Sequence, residues 1–192
     1  MIRIAAVLLA LMIAVPAFAQ NSGSAPRLPA GVDPQNTLVI DTTKGRIVIK
    51  LRNDLAPQHA ARLKQLARDG YYNNVPFHRV MDGFMAQTGD GQNFNGTGNS
   101  KYPNLRAEFS GVPFKRGVVG MARANDPNSA NSQFFICFAE ASFLNNQYTV
   151  IGEVVQGMDV ADKLKKAPAG SQSGAVTDPD KMTKVQVAAD MK

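Results

Sequence analysis

The chain has 192 residues, of which 44% are hydrophobic and 19% are charged. This length and composition suit one globular domain with a sizeable core and exclude a low-complexity or fibrous protein. The formal charge of +6 comes from scattered basic residues, which indicate a solvated surface rather than a nucleic-acid groove. A single cysteine excludes an internal disulfide, and with only two histidines a His/Cys zinc site is poorly supported.

The N-terminus has the pattern of a secretory signal peptide. Arg3 supplies the positive charge, a short apolar run follows, and Ala17-Phe18-Ala19 is a cleavage motif of small residues. We therefore expect residues 1–19 to be removed, with an uncleaved membrane anchor as the alternative. Residues 20–36 are rich in Ser, Gly, Pro and Asn, which predicts a disordered leader.

The rest of the chain, residues 37–192, alternates short apolar strands with turn residues and forms one predicted domain. A helix is expected from Pro57 to a stop at Gly70, and a second from Met158 to about Ala167. The predicted strands are 37–42, 45–51, 77–80, 84–88, 118–122, 134–138, 148–155 and 184–188. Many strands with two helices favour a closed antiparallel barrel. Since side chains fill such a barrel, a functional site must lie on its outer surface.

The segment from Phe77 to Asp90 combines a strong hairpin signal, Asp82-Gly83, with alternating residues on both sides. Alternation places Arg79, Met85 and Gln87 on one surface and His78 on the other. That first surface would be apolar, with one cation and one amide in it. For a lone arginine in a strand, a surface salt bridge would be the more ordinary interpretation.

This segment resembles the signature hairpin of the cyclophilin family of peptidyl-prolyl cis-trans isomerases. Residues 132–137, SQFFIC, and residues 143–152, FLNNQYTVIG, resemble the second and third signatures of the family, in its order and at about its spacing. The resemblance implies a closed eight-stranded antiparallel β-barrel capped by two α-helices. It also implies isomerisation of X-Pro bonds, with no cofactor and no metal.

The resemblance assigns roles to individual residues. Arg79 would donate to the proline nitrogen as the amide twists, and Gln87 would lie beside it. The other residues that match the family's substrate groove are Phe84, Met85, Gly96, Thr97, Ala122, Arg123, Ala124, Gln133, Phe135, Phe143, Leu144 and Tyr148. Phe84, Met85, Phe135 and Leu144 would form the proline pocket, with Phe143 at its rim. Backbone groups of Arg123 would pair with the substrate, and Gly96, Thr97, Ala122 and Ala124 would line the subsite for residues before proline.

Two of these positions depart from many eukaryotic relatives. Phe143 stands where they carry a tryptophan whose N–H helps to hold cyclosporin, so we expect weak cyclosporin binding with catalysis retained. Tyr148 stands where they carry a histidine, so activity should lack a histidine-like pH step at that site. Cys137 lies in an apolar run and is expected to be buried rather than reactive.

The leading functional hypothesis is an exported isomerase that assists folding in the periplasm, as similar Gram-negative proteins do. Its partners would be proline-containing segments of unfolded or folding proteins, and we expect a monomer with no membrane association once the signal peptide is cleaved. The alternative is a chaperone module of the same fold that binds proline segments without turning them over. A third hypothesis, a barrel that binds nucleic acid, is supported only by the positive net charge.

Overall fold

The computed structural model describes residues 28–192, so the predicted signal peptide and residues 20–27 of the predicted leader lie outside it. Within this range, the nine strands are β1 Thr37–Thr42, β2 Gly45–Leu51, β3 Val75–Pro76, β4 Arg79–Met81, β5 Met85–Thr88, β6 Val118–Met121, β7 Phe134–Cys137, β8 Val150–Gln156 and β9 Lys181–Val187. The two α-helices are α1 Pro57–Arg68 and α2 Met158–Asp162.

The strands form one curled antiparallel sheet in the order β3-β9-β1-β2-β8-β6-β7-β5-β4. Its two end strands, β3 and β4, are consecutive in the chain and are joined through Phe77 and His78. The sheet therefore curls until its two edge strands lie only two residues apart along the chain. It has nine strands rather than the predicted eight, and in the described residues no ladder pairs β3 with β4, so the predicted closed barrel is wrong in these details.

The extra strand, β3, lies just before the predicted strand 77–80, of which only Arg79 and Val80 belong to a strand. Val75 and Pro76 pair with β9, whereas Arg79–Met81 pair with β5. The Phe77 amide donates to the carbonyl of Asp180, and the Val80 amide donates to the carbonyl of Gly174. One short segment thus contacts both ends of the sheet, which alternation within a single sequence window cannot reveal.

The sheet carries apolar side chains on both faces. The main core fills the inside and includes Ile40 and Ile47 with Val80, Ile136 and Ile151, each at most 1% exposed. A second cluster of buried residues lies apart from it and consists of Met85, Phe114, Phe135, Cys137, Ala141, Leu144 and Val150. Residues of β5 and β7 contribute to both clusters, as alternation along a strand requires. The second cluster is the base of the surface described below.

Helix α1 begins at Pro57, as predicted, and packs against β9. Its N-cap, Ala56, offers no side-chain oxygen, and the Glu108 carboxylate instead accepts the amide protons of Gln58 and His59. The helix ends before Gly70, whose φ of 70° is the left-handed conformation expected of a C-terminal stop.

Helix α2 is shorter than predicted. The Leu164 amide bonds to Ala161, three residues back, and the Lys165 amide donates to the Asp180 carboxylate instead of continuing the helix.

Strands β8 and β9 begin at Val150 and Lys181, rather than at 148 and 184. Residues Pro34–Asn36, at the end of the predicted leader, form a 3-10 turn capped by the Asp33 carboxylate. Ordered backbone therefore starts before the predicted boundary at Thr37, and disorder of residues 20–27 stays a prediction.

Candidate functional site

The outer face of β4, β5 and β7 brings the main predicted site residues together. Arg79 pairs with Gln87 across the hairpin, and Gln87 pairs with Phe135 on the far side. Met85 lies two residues before Gln87 and shares its face. The prediction that Arg79, Met85 and Gln87 share one surface is confirmed. The loop between the strands is longer than Asp82-Gly83 alone, because Phe84 also belongs to the turn.

These side chains line a cavity of about 170 Å³. Its wall consists of Arg79, Phe84, Met85, Gln87, Ala122, Arg123, Phe135, Leu144 and Tyr148, all of them predicted site residues. Met85, Phe135 and Leu144 are almost fully buried, and the Phe135 ring meets Tyr148 edge to face with centroids 5.7 Å apart. The cavity therefore has an apolar, aromatic base, with the guanidinium groups of Arg79 and Arg123 and the amide of Gln87 at its sides.

Arg79 is held without a carboxylate. Its Nε donates to the Ser173 carbonyl at 2.9 Å, and Nη1 donates to Gln87 Oε1 at 3.4 Å. The other contacts of the guanidinium are the thioether sulfurs of Met85 and Met81, which are weak acceptors. Burial lowers the pKa of Arg79 from its ordinary value. Within residues 28–192 it forms no ion pair, so the surface salt bridge of the ordinary interpretation is not found there.

Two amides connect Arg79 to the neighbouring loop in a defined orientation. Gln133 Nε2 donates to the carbonyls of Gly96 and Gly98, at 3.0 and 2.8 Å. Gln133 Oε1 must therefore face Gln87, and it accepts from Gln87 Nε2 at 3.0 Å. This leaves Gln87 Oε1 as the atom that faces Arg79. Because carbonyls only accept, the polarity of the whole relay follows from the loop backbone.

Asp90 fixes that loop. Its fully buried carboxylate accepts five backbone amides, from Gln92 and Asn93 on one oxygen and from Asn95, Gly96 and Gly98 on the other. These amide donors lower the pKa of Asp90 to about 2 against the opposing effect of burial. Sequence reasoning did not single Asp90 out. Its signal was an aspartate directly before a glycine-rich loop whose amides needed an acceptor.

A second cavity of about 390 Å³ adjoins the first, and the two share Gln87, Ala122 and Arg123. Its lining includes the other predicted residues Gly96, Thr97, Ala124 and Gln133. It also includes Asn99, Asn104, Ser129 and Asn131, which sequence reasoning missed. Small polar residues in loops look like ordinary solvated turns until the fold brings two loops face to face.

Arg123 lies at the junction of the two cavities. Its guanidinium lies over the Tyr148 ring, 4.6 Å from the centroid, and donates to the carbonyls of Gln147, Ala124 and Asn125. Neither the amide nor the carbonyl of the Arg123 backbone has a hydrogen-bond partner in the described residues. The side chain is thus anchored while the backbone remains available for pairing.

Phe143 lies outside both cavities. Its side chain is 68% exposed and packs against Phe84, with ring centroids 5.4 Å apart. This matches a place at the rim. Cys137 is completely buried, which confirms the expectation of a core cysteine, and burial raises the pKa of its thiol to about 12.

His78 packs beneath the loop. A Cβ atom at Gly96 would come within 3.0 Å of its Nε2, and Gly96 itself has a φ of 95°. Burial lowers the pKa of His78 from its ordinary value.

Across residues 28–192 no cluster of three or more His, Cys, Asp or Glu side chains could hold a metal ion. No helix described for this range has the length and apolar character needed to cross a membrane.

Comparison with known proteins gives consistent results. The sequence profile of the family described as "Cyclophilin type peptidyl-prolyl cis-trans isomerase/CLD" matches residues 37–187. A "Probable peptidyl-prolyl cis-trans isomerase" from Brucella suis is 50% identical over 190 residues, covering 94% of this chain and 96% of the relative. "Peptidyl-prolyl cis-trans isomerase B" of Escherichia coli is 39% identical over 137 residues, covering 67% of this chain and 84% of the relative.

Among solved structures, a cyclophilin from Hirschia baltica superposes with a TM-score of 0.75 at 28% identity, covering 84% of this chain and 77% of the other. A cyclophilin-type isomerase from Cryptosporidium parvum, solved in the presence of the dipeptide Ala-Pro, has a TM-score of 0.71 at 24% identity. That match covers 79% of this chain and 98% of the other, and it concerns the fold alone.

Proposed function

This chain belongs to the cyclophilin family of peptidyl-prolyl cis-trans isomerases, and we propose that it turns X-Pro bonds over in the cavity beside Arg79. The reaction makes and breaks no covalent bond. Its barrier of about 18–20 kcal/mol comes from amide resonance across the C–N bond. Turnover of about 10³ per second needs an activation barrier roughly 7 kcal/mol lower, since each factor of ten in rate corresponds to about 1.4 kcal/mol. The site must therefore hold proline and favour the twisted amide.

Arg79 is the proposed electrostatic catalyst. As the C–N bond twists, the proline nitrogen becomes pyramidal and gains a lone pair. A guanidinium aimed at this nitrogen stabilises the transition state and has no such partner in the planar ground state, which is the condition for raising kcat. The observation that carries this proposal is that Nη1 and Nη2 of Arg79 contact two thioether sulfurs and one amide oxygen rather than a carboxylate.

The proline ring would occupy the 170 Å³ cavity, against Phe84, Met85, Phe135 and Leu144. The peptide backbone would run along Arg123 as an added strand, using its unpaired amide and carbonyl. The Ala-Pro dipeptide present with the Cryptosporidium parvum relative supports a short proline peptide as the ligand. The proposed clients are proline-containing segments of proteins that are still folding.

The same proposal includes export. Residues 1–19 have the features of a cleavable signal peptide, and we infer that the mature chain acts on exported proteins in the periplasm. Intact-mass measurement of the exported protein tests the cleavage, because a mass that begins at Met1 would contradict it.

The deciding experiment is exchange NMR of cis-trans interconversion in an Ala-Ala-Pro-Phe peptide. We expect wild type to accelerate the exchange and Arg79→Ala to lose about 10²–10³-fold of kcat while still binding the peptide. Arg46→Ala is the matched control, because Arg46 is a strand arginine paired with Asp41 away from the cavity. Peptide binding by wild type without any acceleration would instead show a binding module and remove the role assigned to Arg79.

Weak cyclosporin binding is part of the proposal. The exposed Phe143 ring offers no N–H donor at the rim of the pocket. Calorimetry should show at least about a fivefold gain in affinity for Phe143→Trp, since one added hydrogen bond contributes about 1 kcal/mol or more. Nanomolar binding by wild type would contradict the prediction.

A further inference from the structure

The second cavity presents a hydrogen-bond donor that nothing else in the described chain uses. Asn131 Oδ1 accepts from the amide and the hydroxyl of Ser100, so its Nδ2 is the donating end. That Nδ2 donates to the Tyr102 carbonyl and to Asn104 Oδ1. Asn104 must therefore turn its own Nδ2 away from Asn131, and this donor has no partner within residues 28–192.

The charge around the cavity has the same sign as that donor. Of the residues that line it, none is acidic, and Arg123 is the one with a charge. The Arg123 guanidinium is bonded to backbone carbonyls, so no carboxylate neutralises it among the described residues. Asn99 also lines the cavity, and its side-chain amide has no partner in the same range. A fixed donor, an adaptable amide and an uncompensated cation together favour an anionic acceptor.

The arrangement of the two cavities indicates which substrate residue would reach this set of donors. They share Gln87, Ala122 and Arg123, so a peptide that follows the Arg123 backbone passes from one to the other. Side chains of an extended peptide alternate between its two faces. With proline in the first cavity, the residue directly before it points away, and the residue two positions before it points toward the second cavity.

We propose that this second cavity selects substrates with Asp or Glu two positions before proline, with Asn104 and Arg123 as the residues that determine the preference. The inference rests on the proposed placement of proline beside Arg79. The cavity is open to solvent, which screens its charge. The preference over a neutral side chain of the same size is therefore about fivefold, typical of partly exposed charged contacts.

The test compares three acetylated peptides, Glu-Ala-Pro-Phe, Gln-Ala-Pro-Phe and Ala-Glu-Pro-Phe. NMR titration gives Kd for each and exchange NMR gives kcat/KM, so selectivity and turnover are read separately. We expect Glu-Ala-Pro-Phe to bind about fivefold more tightly than its Gln counterpart, and the Ala-Glu-Pro-Phe peptide to show no such advantage. The advantage should shrink when ionic strength rises from about 0.05 to about 0.5 M, because salt screens exposed charges.

Two variants assign the preference to the cavity. Asn104→Asp keeps the oxygen that Asn131 uses and replaces the free donor with an acceptor. The Kd of the Gln-Ala-Pro-Phe peptide divided by that of the Glu-Ala-Pro-Phe peptide should therefore fall from about five to one or below. Lys101→Gln removes a positive charge outside this cavity and should leave that ratio as in wild type. Equal Kd values for the Glu and Gln peptides in wild type would overturn the proposal, as would a ratio that Asn104→Asp leaves unchanged. A wild-type Kd preference without accelerated exchange would support the selectivity and contradict the proposed isomerase site.

Discussion

Gln87 decides what the Arg79 guanidinium can do in the absence of substrate. It offers Nη1 an amide oxygen at 3.4 Å, a long hydrogen bond to a neutral acceptor. Such a contact orients the guanidinium while leaving its charge uncompensated. A carboxylate at the same place would hold the guanidinium more tightly and would compete with the pyramidal nitrogen of the transition state. The neutral amide is therefore part of the proposed catalytic design.

This argument makes a prediction for Gln87→Glu. The introduced carboxylate would pair with Arg79 and could no longer donate to Gln133 Oε1. We expect kcat for Ala-Ala-Pro-Phe to fall about tenfold, equivalent to about 1.4 kcal/mol of lost transition-state stabilisation. Any recovery of this loss should come only at a pH below the ordinary pKa of a glutamate, because the pairing with Arg79 lowers the pKa of the introduced carboxyl. Exchange NMR across a pH series measures both effects.

Gln65→Glu, at an exposed position of α1, is the charge-matched control and should keep wild-type turnover. A Gln87→Glu protein that is as active as wild type at neutral pH would show that the neutrality of Gln87 is irrelevant to catalysis.

At the level of single residues, the sequence predicted the apolar pocket better than the polar cavity. The three signature segments contain Arg79, Met85, Gln87 and Phe135, and strand alternation alone puts the first three on one face. Asn104 carries no comparable signal, because its importance depends on Asn131, which comes from a different loop. Pairings between loops depend on the completed fold, which local patterns do not encode.

The loop from residue 91 to 99 shows how one buried charge can organise an element that has no regular secondary structure. Its backbone amides converge on Asp90, while its carbonyls at Gly96 and Gly98 receive Gln133. The loop therefore transmits its geometry to Gln133 and, through Gln87, to Arg79. Gly98 has no room for a side chain, because a Cβ atom there would overlap the Asp90 carboxylate.

Asp90→Asn should loosen this element as a whole. The amide keeps the shape of the carboxylate but lacks its charge, and its NH₂ group would face backbone amides that are themselves donors. We expect the free energy of unfolding to fall by about 1–3 kcal/mol, as for other buried donors left unsatisfied. We also expect faster hydrogen exchange at the Gly96 and Gly98 amides and a higher KM for Ala-Ala-Pro-Phe. Urea denaturation and amide exchange measure these changes.

Asp126→Asn is the matched control, since this exposed aspartate accepts a single side-chain bond, from the Asn128 amide. It should change stability by less than about 0.5 kcal/mol. Unchanged exchange at Gly96 and Gly98 in Asp90→Asn would mean that the loop is held by other contacts.

Regular elements differed in how far the sequence determined them. Strands β1 and β2 have the predicted bounds. In β2, Ile47, Ile49 and Leu51 recur at every second position, and clear turn residues flank the strand on both sides. The segment 77–80 was predicted as one strand, but only Arg79 and Val80 are in a strand, paired with β5, while Val75 and Pro76 just before it pair with β9. Alternation within 77–80 does not show that the chain leaves one strand at Pro76 and enters another at Arg79, because the two strands pair with distant parts of the chain.

For the molecule as a whole, buried ionisable groups lower the free energy of unfolding as the pH falls. His59 and His78 are buried, and burial lowers the pKa of each below its ordinary value, despite the opposing carboxylates of Glu108 and Asp90 respectively. The positive charges of Arg62 near His59 and Arg79 near His78 lower these pKa values further. The contact between His59 and Glu108 at 2.6 Å is therefore a hydrogen bond from a neutral imidazole.

In the unfolded chain, both imidazoles take up a proton near pH 6.5, whereas in the folded protein they stay neutral to lower pH. The unfolded state then binds more protons, so the free energy of unfolding must decrease as pH falls from about 7 to 5, by at most about 1.4 kcal/mol per pH unit for each imidazole. Asp90 adds a second loss at lower pH. Its folded pKa is about 2, so its contribution, complete above the unfolded value near 4, declines as pH falls from about 4 to 2.

Urea denaturation at pH 7, 5 and 3 should therefore show stability falling in two stages. His78→Gln removes one of the two imidazoles and should reduce the slope between pH 7 and 5. Asp90→Asn should reduce the loss below pH 4, and it should not reduce the slope between pH 7 and 5, because it removes a charge that opposes the lowering of the His78 pKa. A wild-type stability that rises on acidification from pH 7 to 5 would contradict neutral buried histidines. Because the two variants reduce the loss of stability in different pH ranges, each provides the reference for the other, and the assignment does not require either protein to match wild type in absolute stability.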